Sequence, residues 1–208
     1  MERNSKIRVA VLFGGKSGEH EVSLASARSV MAAIDREKYE VYPIGISKSG
    51  RWITAGDPMK ALAEGPDTAD TEMATSLTAA GRRDLVPGMQ QTRFPEVDVV
   101  FPVLHGTFGE DGTVQGLLEM ADLAYVGSGV LGSALGLDKA AVKDVFRAHG
   151  LPIVDHQVIM RHAWRQAPAE AISAVEGRFS YPVFVKPANL GPVWGYRRRT
   201  TGRSSTRR

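Results

Sequence analysis

The chain has 208 residues, 43% of them hydrophobic and 24% charged, which is typical of a globular protein with one large domain or two small ones. It contains no cysteine, which excludes a disulfide framework, a thiolate metal site and a thiol nucleophile. No apolar run approaches the roughly 20 residues that span a bilayer, and the N-terminus lacks the pattern of a secretory signal. We therefore expect a cytoplasmic protein with no membrane partner.

The net charge of +3 belongs to the C-terminal end of the chain. Residues 197–208 contain six arginines and no acid, so the rest of the chain carries −3. A polybasic tail is usually solvated and disordered, and we expect no nucleic-acid partner. The alternative, a nucleic-acid-binding tail, would show salt-dependent binding that disappears on removing residues 192–208.

The first part of the chain alternates strands and helices. In chain order we predict a strand at 6–13, a helix at 21–34, a strand at 39–46, an irregular stretch with a short helix and a hairpin at 55–93, a strand at 97–104, a helix at 113–121 and a short strand at 123–127. Strand, glycine loop, helix and strand form a βαβ unit, which implies a parallel sheet. The fold class is therefore α/β, with a Rossmann-like parallel-sheet domain over residues 1–137.

The pattern changes near Leu137, where we place a domain boundary. The predicted elements after it are a helix capped by Asp138 and ended by Gly150, a strand at 153–160, a helix at 168–176 and a strand at 181–186. Val142, Val145 and Phe146 form the apolar stripe of the first helix, which we expect to be buried. Residues 138–191 thus resemble the start of an α+β domain, and 192–208 form the basic tail.

Two loops at the carboxyl ends of predicted strands contain polar residues. The first, Gly14 to Glu21, joins a strand to a helix, where backbone N–H groups and the helix dipole favour an anion. It matches neither the dinucleotide fingerprint nor the P-loop, and its acids could merely complement the helix dipole. The second runs from His105 to Gly112, and its histidine could be a satisfied polar residue. Because both follow parallel strands, we expect the loops to meet over one cleft.

Two lysines of the second part could bind phosphate. Lys139 lies early in a helix and Lys186 closes an apolar strand, and lysines suit phosphate oxygens as mobile point charges. Lys139 could equally be a solvated surface residue. Lys186 is the stronger candidate because a loop signature, Pro187 to Gly191, follows it.

Four segments together resemble the D-alanine–D-alanine ligases of the ATP-grasp superfamily. They are VLFGGKSGEHEVSLASA, VFPVLHGTFGEDGTVQGLLE, YVGSGVLGSALGLDKAAVK and YPVFVKPANLG, in this order, from about Val9 to Gly191. The resemblance implies an ATP-dependent ligase that joins two D-alanines through an acyl phosphate for peptidoglycan precursor synthesis. It also implies that the part after residue 138 is the start of an ATP-grasp domain, and it leaves a homodimer open.

The resemblance assigns roles to residues of the two loops. Glu19 would hold the ammonium group of the first D-alanine, with Val22 and Ser23 beside that subsite. His105 would lie near the carboxyl group that becomes activated, so that Glu19 and His105 are the catalytic candidates.

The same resemblance assigns the cofactors to the second part of the chain. Lys139 and Lys186 would bind the phosphates of ATP. The Mg²⁺ ligands are expected in the C-terminal part of the family, so that we expect no metal ligand within this chain.

The sequence departs from the family after Gly191. Where the family continues Ser-Ser-Val-Gly, this chain has Pro192 to Gly195, and a shift of one base in the reading frame permits Ser-Ser-Val-Gly at that point. We therefore expect a frameshift near codon 191 or 192, with an out-of-frame tail and a chain that is inactive by itself. Sequencing the gene through that point tests this hypothesis.

Two alternatives to the ligase stay open. One is a non-catalytic folded remnant that dimerises or binds an amino acid, and the absence of ATP turnover would separate it from an enzyme. The other is a fragment of a D-alanine–D-lactate ligase, which the sequence does not distinguish.

Overall fold

The computed structural model describes residues 6–63, 96–190 and 197–199. The chain divides into two compact units, Met1–Leu137 and Asp138–Arg208. The division falls at the position where the sequence places the domain boundary. The departure from the family after Gly191, the frameshift hypothesis and the hairpin within 55–93 all lie outside the described residues.

The first unit is built on a four-stranded sheet. Its described elements are β1 (Ile7–Gly14), α1 (His20–Ala33), β2 (Tyr39–Ile46), β3 (Trp52–Ile53), α2 (Pro58–Ala63), β4 (Val99–Pro102), α3 (Thr113–Met120) and α4 (Val130–Leu137). The strand order is β3-β2-β1-β4. Strand β1 is parallel to both β2 and β4, and β3 is antiparallel to β2. The predicted parallel α/β sheet is therefore confirmed.

Strand β1 is the centre of the core because it is buried on both faces. Its odd-numbered side chains pack with Leu24 and Ala27 of α1, and its even-numbered side chains pack with Val114 and Leu118 of α3. The buried residues of β1 are Val9, Ala10, Val11, Leu12 and Phe13. The continuous apolar run in the sequence thus corresponds to a strand covered by a helix on each side, and the carboxyl ends of β1 and β4 lie side by side.

The structure differs from the sequence prediction at several elements of this unit. The strand predicted at 123–127 is a single bridge between Val100 and Tyr125. Val100 exchanges backbone hydrogen bonds with Ala124 (2.8 Å) and Val126 (2.9 Å), and no described ladder extends beyond this bridge. Strand β3 and helix α4 were not predicted, whereas the short helix expected after residue 55 is α2.

The described part of the second unit has three helices and a two-stranded antiparallel sheet. Its described elements are α5 (Lys139–Ala148), α6 (Arg161–Gln166), α7 (Pro168–Glu176), β5 (Val183–Val185) and β6 (Arg197–Arg199). Helix α5 begins as predicted, since Asp138 caps it by accepting hydrogen bonds from the N–H groups of Ala140 (2.9 Å) and Ala141 (3.0 Å). Helix α7 has the predicted bounds, and α6 was not predicted.

Three predictions for the second unit are wrong. Residues 153–160 form no strand, since no described segment pairs with them, and a strand exists only through its hydrogen-bonded ladder. The stripe of α5 is not buried, and Val145 and Phe146 are 37% and 41% exposed. Arg197–Arg199, within the tail expected to be disordered, pair with β5. No described helix is long and apolar enough to cross a membrane.

Candidate functional site

The loop after β1 leaves the sheet through two glycines in the left-handed region. Gly14 and Gly15 have φ values of 90° and 96°, which side-chain-bearing residues rarely adopt. A Cβ atom on Gly14 would overlap the carbonyl oxygen of Ile46, and the Gly15 N–H donates to that same oxygen (2.7 Å). The glycines therefore let the chain turn tightly against β2 before α1 begins at His20.

Ser23 joins the ends of β1 and β4. Its hydroxyl accepts a hydrogen bond from the Gly14 N–H (2.8 Å) and donates to the carbonyl of Val103. The residue has no exposed surface, so its hydroxyl is satisfied inside the protein. Ser23 is predicted to lie beside the substrate subsite, and in the structure its hydroxyl holds the two strand ends together. Val22, its neighbour on α1, is 41% exposed and has no such contact.

Ser17 connects the two loops that the sequence predicts to meet. Its hydroxyl donates to the backbone carbonyl of His105 (2.6 Å) and accepts the N–H of Glu19 (3.2 Å). One side chain thus contacts the backbone of both loops. The prediction that the loops lie over one cleft is consistent with this contact.

Glu19 lies at the centre of the contact between the loops. The residue is only 4% exposed, and a Cβ atom on Gly106 would lie 2.5 Å from its Oε2 atom. The described residues place no hydrogen-bond donor or cation on its carboxylate. A carboxylate without a partner can accept a hydrogen bond from a positively charged or hydrogen-bond-donating ligand.

His105 has a partner at each ring nitrogen. Its Nε2 atom is 3.0 Å from the hydroxyl oxygen of Ser26 on α1, and its Nδ1 atom is 3.7 Å from Oε1 of Glu110. The other carboxylate oxygen of Glu110 accepts the N–H of Gly106 (2.7 Å). The imidazole side chain is 30% exposed, so a ligand can still reach it.

The remainder of the second loop is held by side chains that bond to its backbone. Asp111 accepts the N–H groups of Phe108 (2.8 Å) and Thr113 (3.0 Å), and Gln115 donates to the carbonyl of Gly109 (2.9 Å). Burial opposes ionisation of Asp111, but the hydrogen bonds from Phe108 and Thr113 outweigh it and lower its pKa. These hydrogen bonds hold the loop backbone in its conformation, in which Phe108 has a φ of 67°.

Lys139 and Lys186 belong to the second unit. Lys139 is the first residue of α5, where its N–H donates to the carbonyl of Ala188 (2.8 Å) and its ammonium donates to the carbonyl of Leu190 (2.7 Å). Lys186 directly follows β5 and is exposed. The start of α5 and the segment after β5 therefore lie together and bring two lysines to one region of this unit.

The described residues contain no group of three or more His, Cys, Asp or Glu side chains that could hold a metal ion. The sequence predicts Glu19, His105, Val22 and Ser23 as site residues, and it does not single out Ser17, Ser26 or Gln115. All three stand within its quoted motifs. A serine inside a helix or a loop gives no signal of the distant backbone or ring that it contacts.

Comparisons with known proteins agree on one family. The model of the D-ala D-ala ligase N-terminus matches residues 8–128, and the model of the D-ala D-ala ligase C-terminus matches residues 145–202. The second match includes part of the segment in which a shifted reading frame is expected. Family matches therefore lie on both sides of the boundary between the two units.

Individual relatives give the same result. The D-alanine–D-alanine ligase of Natranaerobius thermophilus is 49% identical over 190 residues, which are 91% of this chain and 52% of that protein. That of Deinococcus radiodurans is 45% identical over 190 residues, with the same two shares. The chain thus spans about half the length of the curated relatives that it matches.

Two solved structures extend the likeness to the fold. The D-alanine–D-alanine ligase from Coxiella burnetii has a TM-score of 0.74 at 36% identity, covering 95% of this chain and 57% of that one. The VanG D-Ala:D-Ser ligase from Enterococcus faecalis has a TM-score of 0.71 at 32% identity, covering 93% of this chain and 55% of that one.

Proposed function

Because the chain belongs to the D-alanine–D-alanine ligase family, we propose that it provides the first D-alanine subsite of an ATP-dependent D-alanine–D-alanine ligase. The reaction would serve peptidoglycan precursor synthesis in the cytoplasm. The observation that carries the proposal is the Glu19 carboxylate, which is buried between the two loops without a cation among the described residues.

A ligand ammonium group matches what Glu19 lacks. A carboxylate removed from water is stabilised by a charged hydrogen-bond donor. The ammonium group of an amino acid is a small donor of this kind. Gly106 gives room for it, since any side chain at that position would press on Oε2 of Glu19. The subsite is therefore suited to a compact amino acid.

His105 is suited to the other end of the same amino acid. It is held on the opposite loop from Glu19, and the Ser17 hydroxyl fixes the backbone of both residues. The exposed part of the imidazole can lie against that carboxyl group. Glu19 would thus orient the ammonium and His105 the carboxyl, which holds the reacting group in a defined position.

The relatives' printed names support D-alanine as the shared substrate. The Coxiella burnetii protein is named a ligase of two D-alanines, and the Enterococcus faecalis protein is named a ligase of D-alanine and D-serine. D-alanine is the substrate that the two names share. This chain resembles both proteins to a similar degree, so we propose the shared substrate for it. For the second substrate we propose D-alanine, by the family match. A D-lactate or D-serine acceptor is the competing assignment.

Lys139 and Lys186 would bind the phosphates of ATP. The contacts of Lys139 with Ala188 and Leu190 bring the start of α5 to the segment after Lys186, and two cations in one region fit a polyphosphate. When bound, ATP would activate the carboxyl group by phosphorylation. Mg²⁺ would be held largely by the phosphates of ATP, since it usually takes one or two carboxylates from a protein.

The experiment that tests the proposal compares amino-acid analogues by chemical-shift mapping on the ¹⁵N-labelled chain. We expect D-alanine to shift the amide resonances of Glu19 and Gly106, and N-acetyl-D-alanine, which lacks the ammonium group, to leave them in place. D-alanine amide, which keeps the ammonium but lacks the carboxylate, should bind more weakly than D-alanine. Equal shifts from D-alanine and its N-acetyl derivative would contradict an ammonium subsite at Glu19.

An assay of ATP turnover separates the two open readings of this chain. ADP release that depends on D-alanine would identify an enzyme, whereas D-alanine binding without turnover would identify an amino-acid-binding module. Dimerisation of such a module would appear in its mass by light scattering.

A further inference from the structure

The side chain of Ser26 has a contact that no family match assigns. Ser26 lies within α1, and its hydroxyl oxygen is 3.0 Å from Nε2 of His105. The two residues are 79 positions apart in the sequence. Ser29, one turn later, instead returns its hydroxyl to the carbonyl of Ala25 (3.2 Å) on its own helix. Of these two serines of α1, only Ser26 reaches the second loop.

A carboxylate on the other side of the ring favours a proton on the nitrogen that faces it. Oε1 of Glu110 lies 3.7 Å from Nδ1 of His105, and a carboxylate there favours an N–H over a lone pair directed at it. Glu110 is itself fixed, because its Oε2 atom accepts the Gly106 N–H. In the neutral imidazole this favours a proton on Nδ1, which leaves Nε2 as an acceptor.

Ser26 provides the complementary donor. We propose that Ser26 is a positioning residue whose hydroxyl donates to Nε2 of His105 and thereby holds the ring in its Nδ1–H tautomer. A hydroxyl both donates and accepts, so Ser26 keeps its hydrogen bond to Nε2 when His105 gains a second proton. The imidazole then stays in place in either charge state, beside the carboxyl group of the bound amino acid.

His105 is held at three points by this arrangement. Ser17 fixes its backbone carbonyl, Ser26 fixes Nε2, and Glu110 faces Nδ1. A ring held in this way needs little reorganisation to meet a ligand. The role of Ser26 in substrate binding rests on the proposed function, in which His105 binds D-alanine. The effect of Ser26 on the His105 tautomer does not depend on that function.

The test is an NMR measurement of the imidazole nitrogens in the full 208-residue chain. The chain contains five histidines, and a His105→Gln variant identifies the resonances of His105. At alkaline pH, where the imidazole is neutral, we expect the wild type to show Nδ1 as the protonated nitrogen. Ser26→Ala should raise the Nε2–H population, and Ser26→Thr, which keeps the hydroxyl, should restore the wild-type spectrum.

Ser29→Ala is the matched control, since it removes a hydroxyl from the same helix without touching His105. It should leave the His105 resonances unchanged. Nε2–H as the main tautomer of the wild type, or an unchanged tautomer in Ser26→Ala, would overturn the proposal. The wild-type measurement decides the first point even if the alanine variant does not fold.

A titration with D-alanine separates this proposal from the proposed function. Loss of one hydrogen bond to the ring should weaken D-alanine binding roughly 3- to 10-fold in Ser26→Ala and not in Ser29→Ala. A tautomer shift in a chain that does not bind D-alanine would refute the proposed function and leave the role of Ser26 intact. D-alanine binding with no tautomer shift would refute the role of Ser26 alone.

Discussion

Replacing Ser23 by alanine tests the packing that supports the candidate site. The hydroxyl of Ser23 satisfies two buried backbone groups, the N–H of Gly14 and the carbonyl of Val103. The variant leaves both of them without this partner, at a position with no exposed surface. An unsatisfied buried group costs about 1–3 kcal/mol, so we expect the free energy of unfolding of the first unit to fall by about 3 kcal/mol.

The assay is urea unfolding followed by the emission of Trp52, which packs against the core of the first unit. A background of Trp164→Phe and Trp194→Phe removes the other two tryptophans. Ser29→Ala is the control, because its hydroxyl bonds only within α1, and it should stay within about 0.5 kcal/mol of the parent. A Ser23→Ala variant as stable as the Ser29→Ala control would refute the reasoning.

Three further predictions follow from the described contacts. Gly106→Ala should abolish D-alanine binding and destabilise the fold, since its Cβ would press on Glu19 at a backbone φ of 71°. Asp138→Ala should cost about 1 kcal/mol through loss of the α5 cap, measured by thermal unfolding. Hydrogen bonds from Arg8 hold the pKa of Asp98 at about 2. Since this lies below the unfolded value of about 4, the stability from Asp98 is present above pH 4 and is lost as the pH falls towards 2.

Each of these predictions has a control and a contradicting result. Gly136→Ala, which meets no atom within 4 Å, should keep D-alanine binding, and loss in both glycine variants would point to a general effect. Asp138→Asn keeps a capping oxygen. An equal loss of stability in Asp138→Asn and Asp138→Ala would therefore show that the loss does not come from the cap. Asp98→Asn should flatten the acid-dependent part of the unfolding curve, and an unchanged curve would show that Asp98 is not its source.

The sequence predicted the elements that a local pattern determines. Strand β1 and helix α1 follow from an aliphatic run and a helical repeat, which need no knowledge of distant residues. The strand predicted at 153–160 failed because apolar residues make a strand only where another segment pairs with it. Helix α4, with the sequence VLGSALGL, was missed because its glycines disfavour a helix by local propensity.

The candidate site also has residues that the sequence predicts and contacts that it does not. Glu19 and His105 could be found because they stand in motifs that resemble a known family. The contacts that hold them could not be found, since Ser17 and Ser26 reach residues 88 and 79 positions away. Which serine of a helix faces a distant loop depends on how that helix packs, and the periodicity of α1 does not determine this.

The measurement that tests the central claim most directly is a calorimetric titration of D-alanine into the chain and two charge variants. Glu19→Gln keeps the shape of the side chain and removes its charge, which should weaken binding roughly 10- to 100-fold through loss of a charged hydrogen bond. Glu21→Gln is the matched control, since Glu21 is exposed and paired with Lys48, and it should bind as the parent does. Equal affinity in the parent and Glu19→Gln would contradict the assignment of the D-alanine subsite to Glu19.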